Sequence, residues 1–414
     1  MKVLVLGAGV IGTACAWYLA KAGHEVVVVD RQPGPARETS FANAGGVCPS
    51  FAGPWAAPGM PFKVAKWLFA AHAPLMLRPR LDLHQWRWLA GFLRNCTAER
   101  FAQNKARMQR IAHYSKACLV ALREETGIAY DHGTGGVLQI FRTQEEIDGG
   151  ARAAKVLTSF SIPHRIVDRG EATQIEPSLS TSTVPIAGAL HLPADETGDC
   201  HLFSEALVEL SRRRGVSFMF DTDVERLIVD GGQLDGVVTS RGTLRADATV
   251  IALGSEAALL LRPAGIDLPI YPVKGYVATF PIDHDDMAPR SCVMDEHSKV
   301  MITRLGNRLR AAGVAEIAGY DRAIDPQQCK AVESVARDLF PAANADGRAE
   351  YWACLRPMTP DGPPYLGPTP IGGLFLNLGQ GSNGWTQACG CGQIVADLVS
   401  GRQAAIDLEG FGLR

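Results

Sequence analysis

Residues 2–30 read KVLVLGAGVIGTACAWYLAKAGHEVVVVD, and the fold is decided by this stretch. Lys2–Leu6 is a short apolar β run that passes directly into Gly7-Ala8-Gly9-Val10-Ile11-Gly12. Ile11, Ala14, Cys15, Tyr18 and Leu19 then recur at helical spacing up to Gly23. Val26–Val29 is a second buried-type strand, and it ends at Asp30. Strand, glycine turn, helix, strand and acid are the context that a dinucleotide fingerprint requires. Gly7 suits the tight turn, Gly9 lets backbone approach a pyrophosphate, and Gly12 lets the helix pack on the strand. The amides of Val10 and Ile11 open a helix whose free N–H groups and positive dipole end attract phosphate. Asp30, followed by Arg31, is placed to accept from ribose hydroxyls.

Composition narrows the class. A chain of 414 residues accommodates two domains or one two-lobed unit. With 47% hydrophobic and 20% charged residues it is an ordinary globular chain with ample core. A net charge of −2 argues against a nucleic-acid partner, which calls for a basic excess. The ten cysteines are scattered without a CxxC pair, so neither zinc, an iron–sulfur cluster nor any other metal is expected. Scattered thiols fit a reducing compartment. Lys2 and the apolar run after it resemble a signal peptide, but cleavage would destroy the glycine turn. The expectation is therefore a mature, cytoplasmic chain. No apolar stretch approaches the roughly 18 residues needed to span a bilayer.

Glu38–Val47 (ETSFANAGGV) follows a turn-rich segment. Thr39, Ser40, Asn43, Ala44 and Gly45 supply the small and hydrogen-bonding groups that a loop crossing a planar cofactor uses. Phe62–Phe69 forms a basic, aromatic helix that either lies on a membrane surface or packs on the protein, packing being the commoner use. Asp82–Thr126 is helical, Gly135–Phe141 a strand, and Thr143–Ser159 a helix opened by a Thr cap. Ile186–Leu192 is another strand. The α/β rhythm resumes at Asp199–Arg214, with strands at Val216–Phe220, Arg226–Val229, Leu234–Ser240 and Ala248–Leu253. Val224, Ala252 and Gly254 sit at the ends of these elements and are further candidates for cofactor contact. Pro269–Pro281, Lys299–Thr303 and Arg308–Val314 suggest a second sheet, and Asp325–Phe340 a helix.

The chain closes by repeating its opening logic. Leu374–Leu378 is a strand, Gly379-Gln380-Gly381-Ser382-Asn383-Gly384 a glycine loop, and Trp385-Thr386 opens a helix reaching about Ser400. A second helix dipole beside the cofactor can stabilise charge developing on a reduced flavin, a device an NAD enzyme does not need. The expectation is FAD. The fold class is α/β and α+β: a discontinuous Rossmann-type FAD domain (1–81, 186–266 and 345–414) and a substrate domain with a mixed or antiparallel sheet (82–185 and 267–344).

LGAGVIG, ETSFANAGG, ADETGDCHLF, YPVKGY, LRPMTPDGPPYLG and GQGSNGWTQACGCGQIVADLVSGR occur in this order along nearly the whole chain. Together they resemble the bacterial FAD-dependent D-amino acid dehydrogenases, within the amino-acid oxidase superfamily that includes glycine oxidase and sarcosine oxidase. The resemblance implies oxidation of a small D-amino acid to an imino acid, which hydrolyses to a 2-oxo acid and ammonia. It also implies that electrons pass to a quinone or other membrane partner, so the chain would sit peripherally on the inner face of the cell membrane. Oligomeric state stays open.

Such a site must fix a carboxylate, for which an arginine fork is the preferred tool. Arg356 in LRPMTPDG and Arg304 in MITR match superfamily positions. Lys274 and Tyr276, in KGY, are weaker candidates for the pocket. Two departures stand out. Gln380 occupies a position that is histidine in several relatives, and Cys354 stands where sarcosine oxidase-like relatives carry a flavin-bonded cysteine. A buried thiol is commonly inert, so non-covalent FAD is expected. The alternatives are a related dehydrogenase or oxidase acting on cis-4-hydroxy-D-proline, glycine or sarcosine, a non-catalytic flavin subunit, and an NAD-binding regulatory module.

Overall fold

The computed structural model describes residues 1–67, 74–344 and 347–414. Lys2–Leu6 lies inside a six-stranded sheet. In spatial order its strands are Tyr365–Pro368, Leu374–Leu378, Ala248–Ile251, Lys2–Leu6, Glu25–Val29 and Ser217–Met219. Every neighbouring pair is parallel except the first. Parallel neighbours require a crossover, and the first is the helix Val10–Lys21. It packs beside the helices Cys200–Arg213 and Gly384–Val399 on one face of the sheet, over Val3 and Val5. Leu4 and Leu6 point to the opposite face, where Ala257–Leu261 and a three-stranded antiparallel sheet (residues 224–244) cover them. Burial on both faces is why the opening strand is apolar throughout rather than alternating. The helix meets the turn closely: a Cβ on Gly12 would lie 1.8 Å from the Gly7 carbonyl oxygen.

The second sheet has nine strands. Its main path is Glu350–Met358, Tyr271–Pro281, Arg308–Ile317, Val300–Leu305, Cys292–Asp295, Val137–Phe141, Gly188–Leu192 and Arg165–Asp168. Leu75–Leu77 pairs parallel to Arg308–Ile317, and Cys292–Asp295 pairs parallel to Val137–Phe141. The other pairings are antiparallel. The helix Pro326–Leu339 buries Cys329, Val332, Ala336 and Leu339 in this sheet's core.

Three strands cross the boundaries expected from sequence. Leu75–Leu77, Gly188–Leu192 and Glu350–Met358, all placed in the cofactor domain, pair into the nine-stranded sheet. Burial pattern tells that a segment is a strand but not which sheet receives its hydrogen bonds. The expected Asp82–Thr126 helical region is two helices, Leu83–Asn95 and Ala98–Thr126. The Asp82 and Thr97 side chains cap them by accepting from the His84 and Arg100 amides. Thr143 caps the helix Gln144–Ser159 in the same way. The basic aromatic helix spans Met60–Trp67, and Phe69 lies outside the described residues. Among the described residues no helix is long and apolar enough to cross a membrane.

Candidate active site

Both glycine turns open into one cavity of 940 Å³, lined by residues of the six-stranded and the nine-stranded sheets. At the end nearest the first turn, Gly7 has φ +105°, and the Gly9 cap of Val10–Lys21 makes no side-chain hydrogen bond to the helix. The Val10 amide instead donates to Ser40 Oγ at 3.1 Å, and Val10 and Ile11 line the cavity. Asp30 accepts from the Ala8 amide at 2.6 Å and from the Gln32 amide at 2.8 Å. Burial raises its carboxyl, and those two amides pull the other way. Arg31 and Arg322 bridge Glu38 and Glu256. Burial raises the Glu38 carboxyl, but the two guanidinium groups outweigh it and hold it below the usual carboxylate range.

The second turn reaches the cavity from the C-terminal loop. Gly379 has φ +79°, and the Asn383 cap makes no side-chain bond to the helix Gly384–Val399. Gln380 is buried, its amide donating to Asn377 Oδ1 at 2.8 Å. Thr386 Oγ1 accepts from the Cys48 amide at 3.0 Å, tying this helix to the loop after Gly45. Two helix N-termini without side-chain caps on one elongated cavity fit a dinucleotide carrying a flavin. Of the residues expected to contact the cofactor, only Gly12 and Gly379 do not line the cavity. Gly12 lets the helix close on the turn. A Cβ at Gly379 would lie 2.7 Å from Thr359 Cγ2.

The substrate candidates separate. Arg356 lines the cavity, donates from Nη1 to the Val314 carbonyl at 3.1 Å, and stands 5.9 Å from the centre of the Trp55 ring. Its guanidinium has no ion-pair partner within 4.0 Å among the described residues. Burial lowers its pKa, and the neighbouring Cys354 thiol opposes this. Cys354 also lines the cavity, and burial raises its pKa. Arg304 lies elsewhere: it pairs with Asp285 and donates to the Gly306 carbonyl, away from the cavity lining. Tyr276 is core, its hydroxyl donating to Glu316 at 2.5 Å, and Lys274 is buried against Asp321 at 2.7 Å. Neither lines the cavity. Alternation along Tyr271–Pro281 explains this. Lys274 and Tyr276 face the core and Glu316, while Gly275 between them faces Arg356.

Trp55 and Lys105 are among the cavity residues that sequence reading missed. Trp55 follows Gly53-Pro54 and carries a turn signal but no chemical one. Lys105 lies in a polar stretch of the helix Ala98–Thr126 that reads as a solvated face.

A cavity that joins two uncapped helix N-termini to a cation without an acidic partner is the site of a dinucleotide-dependent enzyme. A family model described as FAD dependent oxidoreductase matches residues 2–398, and the chain belongs to that family, with FAD as its cofactor. A D-amino acid dehydrogenase from Agrobacterium fabrum is 50% identical over 413 residues, covering 100% of this chain and 99% of that protein. One from Allorhizobium ampelinum is 52% identical over 407 residues, covering 98% and 96%. Among solved structures, glycine oxidase from Geobacillus kaustophilus superposes with a TM-score of 0.77 at 26% identity, covering 100% of this chain and 98% of that one.

Proposed function

We propose that this oxidoreductase oxidises D-amino acids to imino acids, which hydrolyse to 2-oxo acids and ammonia. The observation that carries the reading is Arg356, a cavity-lining guanidinium with no acid of its own. A substrate carboxylate completes it with paired charge-assisted hydrogen bonds. The substrate's D configuration rests on the names of the relatives at 50–52% identity. Bound FAD supplies a two-electron hydride acceptor for the substrate's α-hydrogen. Arg356 then serves as the anchor that fixes the α-carbon, a positioning role in which small displacements cost rate steeply. Trp55, near that guanidinium, walls the pocket against water. Gln380 offers no titratable proton, so no base acts from that position, and hydride departure needs none when the amine is neutral and its lone pair assists.

The same reading sends the electrons to a quinone or other membrane acceptor. The helix Leu83–Asn95 supports it by burying Gln85, Trp88 and Phe92 while exposing Leu83, Trp86 and Leu93 on the other face. Phe62 and Leu81 are also exposed, and Lys63, Arg87 and Arg94 are exposed basic residues of the same two helices. Apolar and aromatic groups mixed with basic ones suit an anionic bilayer surface.

Anaerobic mixing with a panel of D- and L-amino acids tests the oxidation: D-amino acids bleach the flavin and L-amino acids do not. Bleaching by glycine or sarcosine alone would install the alternative substrates, and no bleaching at all would leave a flavin-binding subunit. Rates with a quinone analogue against oxygen test the acceptor.

A further inference from the structure

The helix Ala98–Thr126 turns Phe101 and Lys105, one turn apart, to the cavity. One turn further on, Gln109 Nε2 donates to the Pro49 and Ala52 carbonyls at 2.9 and 2.6 Å, clamping the 49–52 loop to the helix. Lys105 is only 8% exposed. An ammonium carries three donors, yet its one hydrogen bond among the described residues is to the Ser50 carbonyl, long at 3.5 Å. No carboxylate lies within 4.0 Å of Nζ among the described residues. The acid acting on it is Asp195, whose Oδ1 accepts from the Ser50 amide and hydroxyl at 3.2 and 2.9 Å and whose Oδ2 is buried without a hydrogen-bond partner among the described residues, more than 4.0 Å from the ammonium.

Burying an unpaired ammonium is costly, so such a group persists where a ligand completes it. Lys105 and Arg356 line the same cavity. A Cβ on Gly53 would lie 3.2 Å from Lys105 Nζ, and two residues on, the Trp55 ring stands 5.9 Å from the Arg356 guanidinium. Burial lowers the Lys105 ammonium to about 8, which leaves it mostly charged at neutral pH.

Given a D-amino acid anchored by Arg356 as proposed above, we propose that Lys105 is a specificity-determining residue whose ammonium receives the side-chain carboxylate of an acidic D-amino acid. It favours substrates ending in an anion and repels those ending in a cation.

The test compares kcat/KM for D-glutamate, D-alanine and D-arginine in the FAD-loaded wild type and in Lys105→Met, which keeps most of the apolar stem. The D-glutamate to D-alanine ratio should fall at least tenfold, and the D-arginine to D-alanine ratio should rise. Ratios that stay within twofold overturn the assignment, whatever happens to the absolute rates, since a merely structural lysine would alter all substrates alike. A measurement on the unmodified enzyme does not depend on how the variant folds: glutarate should inhibit D-alanine oxidation at least tenfold more strongly than butyrate, and equal inhibition overturns the proposal. If D-alanine bleaches the wild-type flavin while the ratios do not move, only the Lys105 assignment fails. If no D-amino acid bleaches it, the oxidation reading fails and this one with it.

Discussion

Arg356 Nη1 donates at 3.1 Å to the carbonyl of Val314, and Val314 holds a φ of +55°. A β-branched residue in the left-handed region is a backbone outlier, and such strain persists where surrounding structure over-determines it. The register between Tyr271–Pro281 and Arg308–Ile317 shifts between Lys274 and Tyr276, in the same region. The bulge turns a strand carbonyl toward the guanidinium, so the sheet's irregularity holds the proposed carboxylate anchor.

Replacing Arg356 with Met should raise KM for amino acids roughly 10- to 100-fold, the span expected for losing charge-assisted hydrogen bonds, while FAD content stays at wild-type level. Steady-state kinetics beside the flavin absorbance of the purified variant make the check. An unchanged KM would remove Arg356 from the site.

Gly275 leaves room for that anchor, since a Cβ there would fall 2.2 Å from Arg356 Nη2. Gly275→Ala should therefore displace the guanidinium and lower kcat/KM by roughly 10²-fold, with FAD still bound. Equal kcat/KM in the variant and the wild type would show that Arg356 acts from another position.

Cys354 is buried, and burial raises its pKa, which keeps it a thiol rather than the nucleophilic thiolate. Acid precipitation should leave the yellow colour in the supernatant. Colour retained in the pellet would mean a covalent flavin.

Lys105 gives the stability of the substrate-free enzyme a pH dependence. Its pKa falls from 10.5 to about 8 on folding, so between those values the unfolded chain binds more protons than the native one. Stability from this group therefore rises with pH across that window and is lowest below it. Lys105→Met should be more stable than wild type at pH 7 by up to about 3 kcal/mol, with most of the gap gone by pH 10. Denaturant titrations at both pH values decide this. A gap of the same size at both would mean that the amine is not titrating as described.

The reach of sequence differs along the chain. The glycine turn, the helix after it and Asp30 are legible because a strand, a tight turn and a helix start each impose local demands on residue type. The C-terminal glycine loop is legible for the same reason. Arg304, at a strand end, and Arg356, in a turn-rich motif, both stood as carboxylate candidates, yet one meets Asp285 and the other the cavity. Tyr276 and Gly275 differ only in which side of a strand they face, a parity set by pairing partners hundreds of atoms away.

By itself, the sequence determined a dinucleotide fold and a second helix terminus suited to a flavin, and it offered two arginines as candidates for a carboxylate. These follow from short-range rules, since caps, turns and dipoles act within a few residues. Only the tertiary structure decided that Gly188–Leu192 and Glu350–Met358 belong to the second sheet, that Arg356 rather than Arg304 reaches the cavity, and that Lys105 stands there without an acid partner within 4.0 Å among the described residues. Those outcomes depend on which surfaces are buried against which, and burial is a property of the packed chain rather than of any window along it.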